Sequence, residues 1–171
     1  MGFINKLSHA NLYIGTDNLH LKVEEIELPN LVQVSSTQEL LGALGKVELM
    51  DGYEEMTGKI IFASVYPEIL KVISDPTTLL EIQVRGNLET HSNAGLVSEV
   101  PVTALMTVRF KEIQFGTFKQ HEAVKQEAPY SCFYFKYTID GNDIIEFDPI
   151  SNILKVNGVD KMENARRNLA L

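Results

Sequence analysis

Residues 80–110 read LEIQVRGNLETHSNAGLVSEVPVTALMTVRF, and apolar side chains recur at every second position in both halves of this segment. A period of two is typical of a β-strand with one face buried and the other in water. Residues 91–95, HSNAG, separate the two halves and favour a turn. The segment therefore predicts one long antiparallel hairpin, with Glu81, Glu89 and Glu99 on its polar faces.

More strands are predicted on both sides of this hairpin. Residues 133–139 alternate in the same way, and Asp140-Gly141 is a strong tight-turn signal before residues 143–148. Residues 56–64 predict a further strand. Near the N-terminus, residues 11–14 and 21–28 are expected to pair with each other. The apolar phase of the second of these shifts by one residue, which predicts a β-bulge near Glu24-Glu25.

Helices are predicted to be few and short. Pro67 suits a first helical position, and Asp75-Pro76 would end that helix. Asp160 with Glu163 three residues later is typical of a capping box at the start of a C-terminal helix. Ser36 with Glu39 predicts one more helical turn over residues 40–44, ended by Gly45. The order of elements predicts one mainly β domain over residues 1–171, an antiparallel sandwich or barrel with a short flanking helix and a C-terminal helix.

Composition limits the functions open to this chain. The formal net charge is -8, and the only adjacent basic pair is Arg166-Arg167, so tight binding to nucleic acid is not expected. Apolar residues make up 44% of the chain and charged residues 22%, which is ordinary for a globular protein. The single cysteine, Cys132, excludes an intramolecular disulfide.

No residue pattern predicts catalysis, a cofactor or a metal. The four histidines are far apart in sequence, and none has the spacing of a metal-ligand pair. Cys132 lies between Ser131 and Phe133 in a predicted strand, without a basic neighbour that would activate a thiolate. The carboxylates alternate with apolar residues on predicted exposed strand faces, which favours a solvated acidic surface over acid–base chemistry. We expect a protein that is not an enzyme.

The length of the predicted hairpin favours self-association. A free strand edge of that length would invite aggregation in a monomer. Pairing of each edge with a neighbouring copy would remove it, so the pattern favours a homo-oligomer.

Several segments also carry a family pattern. In the C-terminal part these are Tyr134-Phe135-Lys136-Tyr137, Asp140-Gly141, Ile145-Glu146-Phe147-Asp148, Val156-Asn157-Gly158-Val159-Asp160, Arg167 and Leu171. Upstream they are Asn11-Leu12-Tyr13-Ile14, Leu28-Pro29-Asn30-Leu31 and Arg109-Phe110-Lys111-Glu112-Ile113. With these residues the chain resembles the major tail tube family of contractile-tailed bacteriophages and R-type bacteriocins.

The resemblance implies a structural role without a cofactor. Members of that family form hexameric rings whose strands make an inner β-barrel, and the rings stack head-to-tail into a tube inside a contractile sheath. Expected partners are other copies of the chain, the sheath protein, tail initiator or baseplate and terminator proteins, and a tape measure protein in the lumen. DNA would pass through without tight binding. The expected location is the virion tail, assembled in the cytoplasm of the bacterial host.

Assembly residues can be suggested on this basis. Residues 35–55, with Leu40 and Leu41, are the candidate for contact with the next ring. Asn157 and Gly158 would form the turn before the C-terminal helix, near Asp160. Arg166 and Arg167 would either pair with acidic residues of a neighbour or remain solvated at the helix end. Glu81, Glu89 and Glu99 are the candidates for an acidic lumen.

Two other interpretations remain open at this point. In the first, the chain has the same fold but is the ring-forming tube protein of a type VI secretion system. The other is a small monomeric β-barrel that holds a ligand inside the sandwich.

Overall fold

The computed structural model describes residues 2–42 and 44–171, and the described chain is mainly antiparallel β-sheet with two short helices. The strands are β1 (Ile4–Ile14), β2 (Asp17–Asn18), β3 (Val23–Glu27), β4 (Gln33–Glu39), β5 (Lys46–Tyr53), β6 (Met56–Phe62), β7 (Leu80–Ser92), β8 (Gly95–Phe110), β9 (Gln126–Ile139), β10 (Asn142–Asp148), β11 (Ile153–Val156) and β12 (Val159–Asp160). The helices are α1 (Pro67–Ile73), between β6 and β7, and α2 (Glu163–Asn168), after β12.

Strand β9 links two parts of the main sheet. Eight strands follow one another in the order β12-β11-β10-β9-β8-β7-β1-β2. The first half of β9 also pairs with β6, from Met56↔Cys132 to Phe62↔Gln126, and β6 pairs with β3. Strands β4 and β5 form a separate two-stranded sheet. The predicted mainly β fold is confirmed.

Both central hairpins form where the sequence predicts them. Strands β7 and β8 pair from Leu80↔Val108 to Ser92↔Gly95, so the hairpin is longer than the predicted segments. Strands β9 and β10 are joined by Asp140 and Gly141, whose φ angles of 51° and 74° are those of the type I′ turn that tight hairpins favour. The predicted bulge near Glu24-Glu25 is confirmed by a register shift between Val23 and Glu25 in the β3–β6 pair.

The predicted pairing of residues 11–14 with residues 21–28 is wrong. Strand β1 pairs with β7 over nearly its whole length, and residues Tyr13 and Ile14 also pair with β2. Strand β3 pairs with β6 instead. The alternation of apolar residues indicates which face of a strand is buried, but it does not indicate which strand lies beside it. The prediction paired two segments that are neighbours in sequence, whereas each of them pairs with a strand that is distant in sequence.

The predicted helical turn at residues 36–45 is also wrong. Ser36 and Glu39 lie in β4, and Leu40 and Leu41 lie in the connection to β5. The apolar residues there have helical spacing, but they find no core to pack against. The pairing of β4 with β5 therefore determines the structure of this segment, and the helical pattern does not.

The core lies between the apolar side of β1, β7 and β8 and the layer formed by β6, β3 and the first half of β9. Its fully buried side chains include Ile60, Phe62, Ile73, Ile82, Met106, Val108 and Tyr130. Helix α1 begins at Pro67, as predicted, and contributes Ile69 and Ile73 to this core. Because one side of β7 and β8 faces this core, their other side is turned away from it.

Candidate assembly surfaces

The side of the eight-stranded sheet that faces away from the core forms a continuous surface, called here the polar face. On β8 the buried residues Ala104, Met106 and Val108 alternate with Thr103, Leu105 and Thr107, which belong to the polar face. Cross-strand partners carry this face across the sheet, in the rows Arg85–Thr103–Thr138–Asp143 and Gln83–Leu105–Lys136–Glu146–Lys155. At about 4.8 Å between neighbouring strands, the second row spans roughly 19 Å.

Ion pairs link the strands at one end of the polar face. Lys136 contacts Asp143 at 2.8 Å and lowers the pKa of that carboxyl group. Lys155 contacts Glu146 at 3.0 Å. The hydroxyl of Tyr134 donates to Glu146 at 3.2 Å, and burial together with this carboxylate raises the pKa of Tyr134 to about 12. Charges of both signs therefore alternate here.

The three glutamates predicted to line a lumen share the polar face. Glu89 and Glu99 are direct cross-strand partners, and Glu81 lies further along β7. The pKa of Glu89 is lowered by hydrogen bonding to Ser8 and then to His91, whose ring nitrogen lies 2.9 Å away. The amide nitrogen of Asn87 donates to Glu99 at 2.8 Å. Glu89 is therefore held as a carboxylate by its neighbours, and Glu99 is held in place by Asn87.

Basic residues moderate the acidity of this surface. Arg85 lies on the polar face between Glu81 and Glu89, and Lys6 is the cross-strand partner of Glu89. The surface is therefore mixed in charge with an acidic excess around the three glutamates, rather than uniformly acidic.

Three strands extend beyond the rest of the sheet and form a flap, defined as residues 4–10, 86–92 and 95–101. Pairing between β8 and β9 begins at Val102↔Ile139, and the Pro101 carbonyl oxygen accepts from the backbone N–H of Asp140 at 2.8 Å. Residues 95–100 therefore have a strand, β7, on one side only. Residues 4–10 of β1 also pair only with β7 in the described chain. Seven residues at about 3.3 Å each make the flap roughly 20 Å long. Both of its edges offer unpaired backbone groups.

The flap also exposes apolar side chains. Ile4 and Leu7 on β1 and Leu96 and Val97 on β8 are all more than half exposed, as is the adjacent Phe3. Leu7 packs over Gly86, where a Cβ atom would lie 2.7 Å from a Leu7 methyl carbon and would displace that side chain. The β1 part of the flap was not predicted, because residues 4–10, INKLSHA, do not alternate regularly between apolar and polar side chains.

Strands β4 and β5 project as a second unit, called here the arm. One of its faces carries Val34, Val47 and Leu49, which are all exposed, and Leu40, Leu41 and Leu44 are exposed at its tip. At its base, Tyr53 packs edge-on against Phe147 with ring centroids 5.1 Å apart. An isolated two-stranded hairpin is only marginally stable in water. Burial of its apolar face against another surface would stabilise the arm.

The predicted C-terminal residues form a compact unit within the chain. Asn157 and Gly158, with φ angles of 51° and 77°, make the turn between β11 and β12. The guanidinium of Arg166 binds the carboxylate of Asp160 and also donates to the carbonyl oxygen of Asn152 at 2.8 Å. Arg167 is exposed and donates to Asn164 at 2.9 Å.

The predicted capping box is wrong. The Asp160 carboxylate lies on β12 and accepts from the backbone N–H of Met162 at 2.9 Å, and α2 begins at Glu163 with no side-chain cap. Arg166 was predicted either to remain solvated or to pair with an acidic residue of a neighbouring copy. In the structure it pairs with Asp160 of its own chain, which neither alternative included. The interface role suggested for these residues stays a prediction.

The one cysteine of the chain, Cys132, is buried. The Cys132 thiol donates to the carbonyl oxygen of Tyr134 at 3.0 Å, and burial raises its pKa to about 12, so it is a protonated thiol at neutral pH. Residues 2–42 and 44–171 contain no cluster of three or more His, Cys, Asp or Glu side chains that could hold a metal ion. No helix in the same ranges is long and apolar enough to cross a membrane.

An antiparallel domain with a two-edged flap and an exposed apolar arm has the features of a structural subunit. Comparison with known proteins gives the family. Residues 4–169 match the phage tail tube protein FII family, and the chain belongs to this family. It is thus a structural protein of the virion tail and not an enzyme.

A curated protein agrees with this membership, and two solved structures share the fold. The chain is 44% identical over 72 residues to the tail tube protein of Escherichia phage P2, and the matched region covers 42% of this chain and 42% of that protein. The fold is similar to a chain in the cryo-EM structure of the PVC sheath–tube complex of an extracellular contractile injection system in the extended state. The TM-score is 0.56 at 9% identity, over 75% of this chain and 87% of that one. A chain of the PVC sheath/tube terminator gives a TM-score of 0.58 at 8% identity, over 78% and 95%.

Proposed function

We propose that this chain is the tail tube subunit of a contractile phage or phage-like injection system, in which hexameric rings stack head-to-tail into a hollow tube inside a sheath. The tube penetrates the cell envelope and conducts DNA. The observation that carries the proposal is the flap, whose two unpaired edges belong to different strands.

Ring closure follows from those edges. Strands β1 and β8 both run antiparallel to β7, so they run parallel to each other. Rotation about a ring axis keeps strand direction, so residues 95–100 of one copy can pair in parallel with residues 4–10 of the next. Such a contact joins unlike surfaces, and six copies related by a 60° rotation would close into the proposed ring. Permanent interfaces of this kind bury on the order of 2,000 Å² or more.

The arm supplies contacts between rings. Its tip, with Leu40 and Leu41, and its apolar face, with Val47 and Leu49, would be covered by a copy in the adjacent ring. Head-to-tail stacking leaves one growing end, as a filament requires.

The polar face lines the lumen in this assembly. DNA carries one negative charge per about 1.7 Å of its axis, and a basic wall would bind it through counterion release. The acidic excess around Glu81, Glu89 and Glu99 repels the DNA, so that it slides. The tape measure protein would occupy the same lumen before ejection.

Partners outside and at the ends of the tube are the sheath, the initiator or baseplate, and the terminator. The similar folds come from sheath–tube and sheath/tube terminator complexes, which supports the sheath and terminator contacts.

Electron microscopy of the purified protein at high concentration tests the proposal. We expect six-fold rings and stacked tubes with a central channel. A stable monomer at all concentrations, with its strand edges shielded and a ligand in a cleft, would instead make the chain a ligand-binding module.

A further inference from the structure

Residues 111–125 connect β8 to β9 without a helix or strand and are called here the aromatic loop. Its base is fixed by backbone hydrogen bonds from Lys111 to Pro129 at 3.0 Å and from Gln114 to Glu127 at 3.3 Å. The two halves of the loop also pack closely, since a Cβ atom on Gly116, at a φ of 76°, would lie 2.4 Å from a Val124 methyl carbon. The loop therefore has a defined shape at its base.

Two large apolar side chains of this loop face water. Phe115 is 65% exposed and Phe118 is 82% exposed, while Ile113 packs against the core. Exposed aromatic rings on a loop held in this way are typical of anchors that enter a pocket on a partner protein. Neither ring belongs to the flap or to the arm.

The loop lies on the side of the domain that faces away from the polar face. Its base follows the first half of β9, whose other neighbour is β6. Lys125 reaches Glu24 on β3 at 2.7 Å. Strands β3 and β6 lie across the core from β7 and β8, so a polar face turned toward the lumen puts the aromatic loop on the outer wall of the tube.

The three lysines of the loop are each paired with a carboxylate of the same chain. Lys111 contacts Glu55 at 3.3 Å, Lys119 contacts Glu122 at 3.3 Å, and Lys125 contacts Glu24. The loop therefore offers aromatic surface without a free basic patch. A partner would recognise it with an apolar pocket rather than with a strip of carboxylates.

We propose that Phe115 and Phe118 are the docking anchors of the tube wall for the surrounding sheath subunit, which receives them in an apolar pocket. This inference rests on the proposed function, because the outer position of the loop follows from a polar face that lines the lumen. A neighbouring tube subunit is the less suitable occupant, since the flap and the arm already provide the contacts within and between rings.

The test uses preformed tubes and purified sheath subunits from the same particle. Phe115→Ser and Phe118→Ser are compared with Gln120→Ser, an exposed substitution in the same loop. We expect all three variants to form tubes of normal width and length. The two phenylalanine variants should bind at least about ten-fold less sheath in a co-sedimentation assay, while Gln120→Ser binds as the unchanged protein does.

Two results would overturn the inference. Sheath binding at the normal level by both phenylalanine variants would exclude the rings as anchors. Loss of tubes in the phenylalanine variants alone would assign the rings to contacts between tube subunits. Absence of tubes from the unchanged protein is a different result, because it would reject the proposed function itself.

Discussion

Tyr130 on β9 lies directly over Gly58, its cross-strand partner on β6, and its hydroxyl donates to the carbonyl oxygen of Glu27 on β3 at 2.8 Å. The side chain thus ties together three strands of one layer. A Cβ atom on Gly58 would lie 2.5 Å from the Tyr130 hydroxyl oxygen and 2.4 Å from the Glu27 carbonyl oxygen. Gly58 is therefore required by a close approach, not by a special backbone angle.

Gly58→Ala should destabilise the domain strongly. The added methyl group would displace a buried ring and a backbone carbonyl that cannot move independently, and overpacking of this kind costs about 1–3 kcal/mol. The free energy of unfolding, measured with denaturant on the monomer, checks this. Gly45→Ala is the matched control, because a Cβ atom there meets nothing within 4 Å. Equal stability of the two variants would contradict the close approach.

Tyr130→Phe isolates the hydrogen bond from the packing. The ring stays, but the Glu27 carbonyl loses its donor from β9, which should cost about 1 kcal/mol. Burial raises the pKa of Tyr130 well above its ordinary value, so the hydroxyl remains a donor at any pH compatible with the fold. Tyr134→Phe is the comparison: that hydroxyl is only partly buried, so water replaces its bond to Glu146 and the loss should be smaller.

Residues with clear local signals were predictable from sequence. The bulge at Glu24 and Glu25 follows from a phase shift in the apolar pattern, and the turn at Asp140 and Gly141 follows from residues that tolerate positive φ. The close approach at Gly58 was not predictable, because it depends on which strand lies beside β6 and on a tyrosine that is distant in sequence. Nothing in the local sequence encodes that neighbour.

Leu40→Asp with Leu41→Asp should block tube growth and leave the fold intact. Both residues are exposed at the tip of the arm, so the charges cost the monomer little, but they would prevent burial against the next ring. Electron microscopy should find single rings or monomers where the unchanged protein forms tubes, at equal unfolding free energy. Normal tubes from the double variant would remove the arm from the contact between rings.

The same residues mark a limit of sequence reasoning about assembly. Leu40, Leu41 and Leu44 have the spacing of a buried helical stripe, and a pattern cannot distinguish burial in the chain's own core from burial in another copy. The capping-box prediction at Asp160 failed for a different reason. A carboxylate near a helix start has several possible hydrogen-bond donors. The Asp160 carboxylate accepts from Arg166 and from the Met162 amide, and not from the first turn of the helix.

Acid should loosen the C-terminal unit. The hydrogen bonds from Arg166 and from the Met162 amide hold the pKa of Asp160 below its ordinary value. A carboxyl group with a lowered pKa stabilises the fold above its unfolded pKa, near 3.9, and this contribution is lost as pH falls through the lower folded value. NMR amide shifts of residues 162–168 should therefore change below about pH 4. In Asp160→Asn that change should be absent, whereas Asp51→Asn on the arm should keep it.

Reversing charge on the polar face should slow the passage of DNA. Glu81 and Glu99 are exposed, so Glu81→Lys with Glu99→Lys should leave the fold and the tubes intact. A lumen made basic at these positions would bind the phosphate backbone, and because that binding releases counterions, added salt should restore the rate. DNA ejection from particles carrying the variant subunit measures this, with Glu81→Gln and Glu99→Gln as the neutral comparison. An unchanged ejection rate at low salt would mean that the polar face does not line the channel.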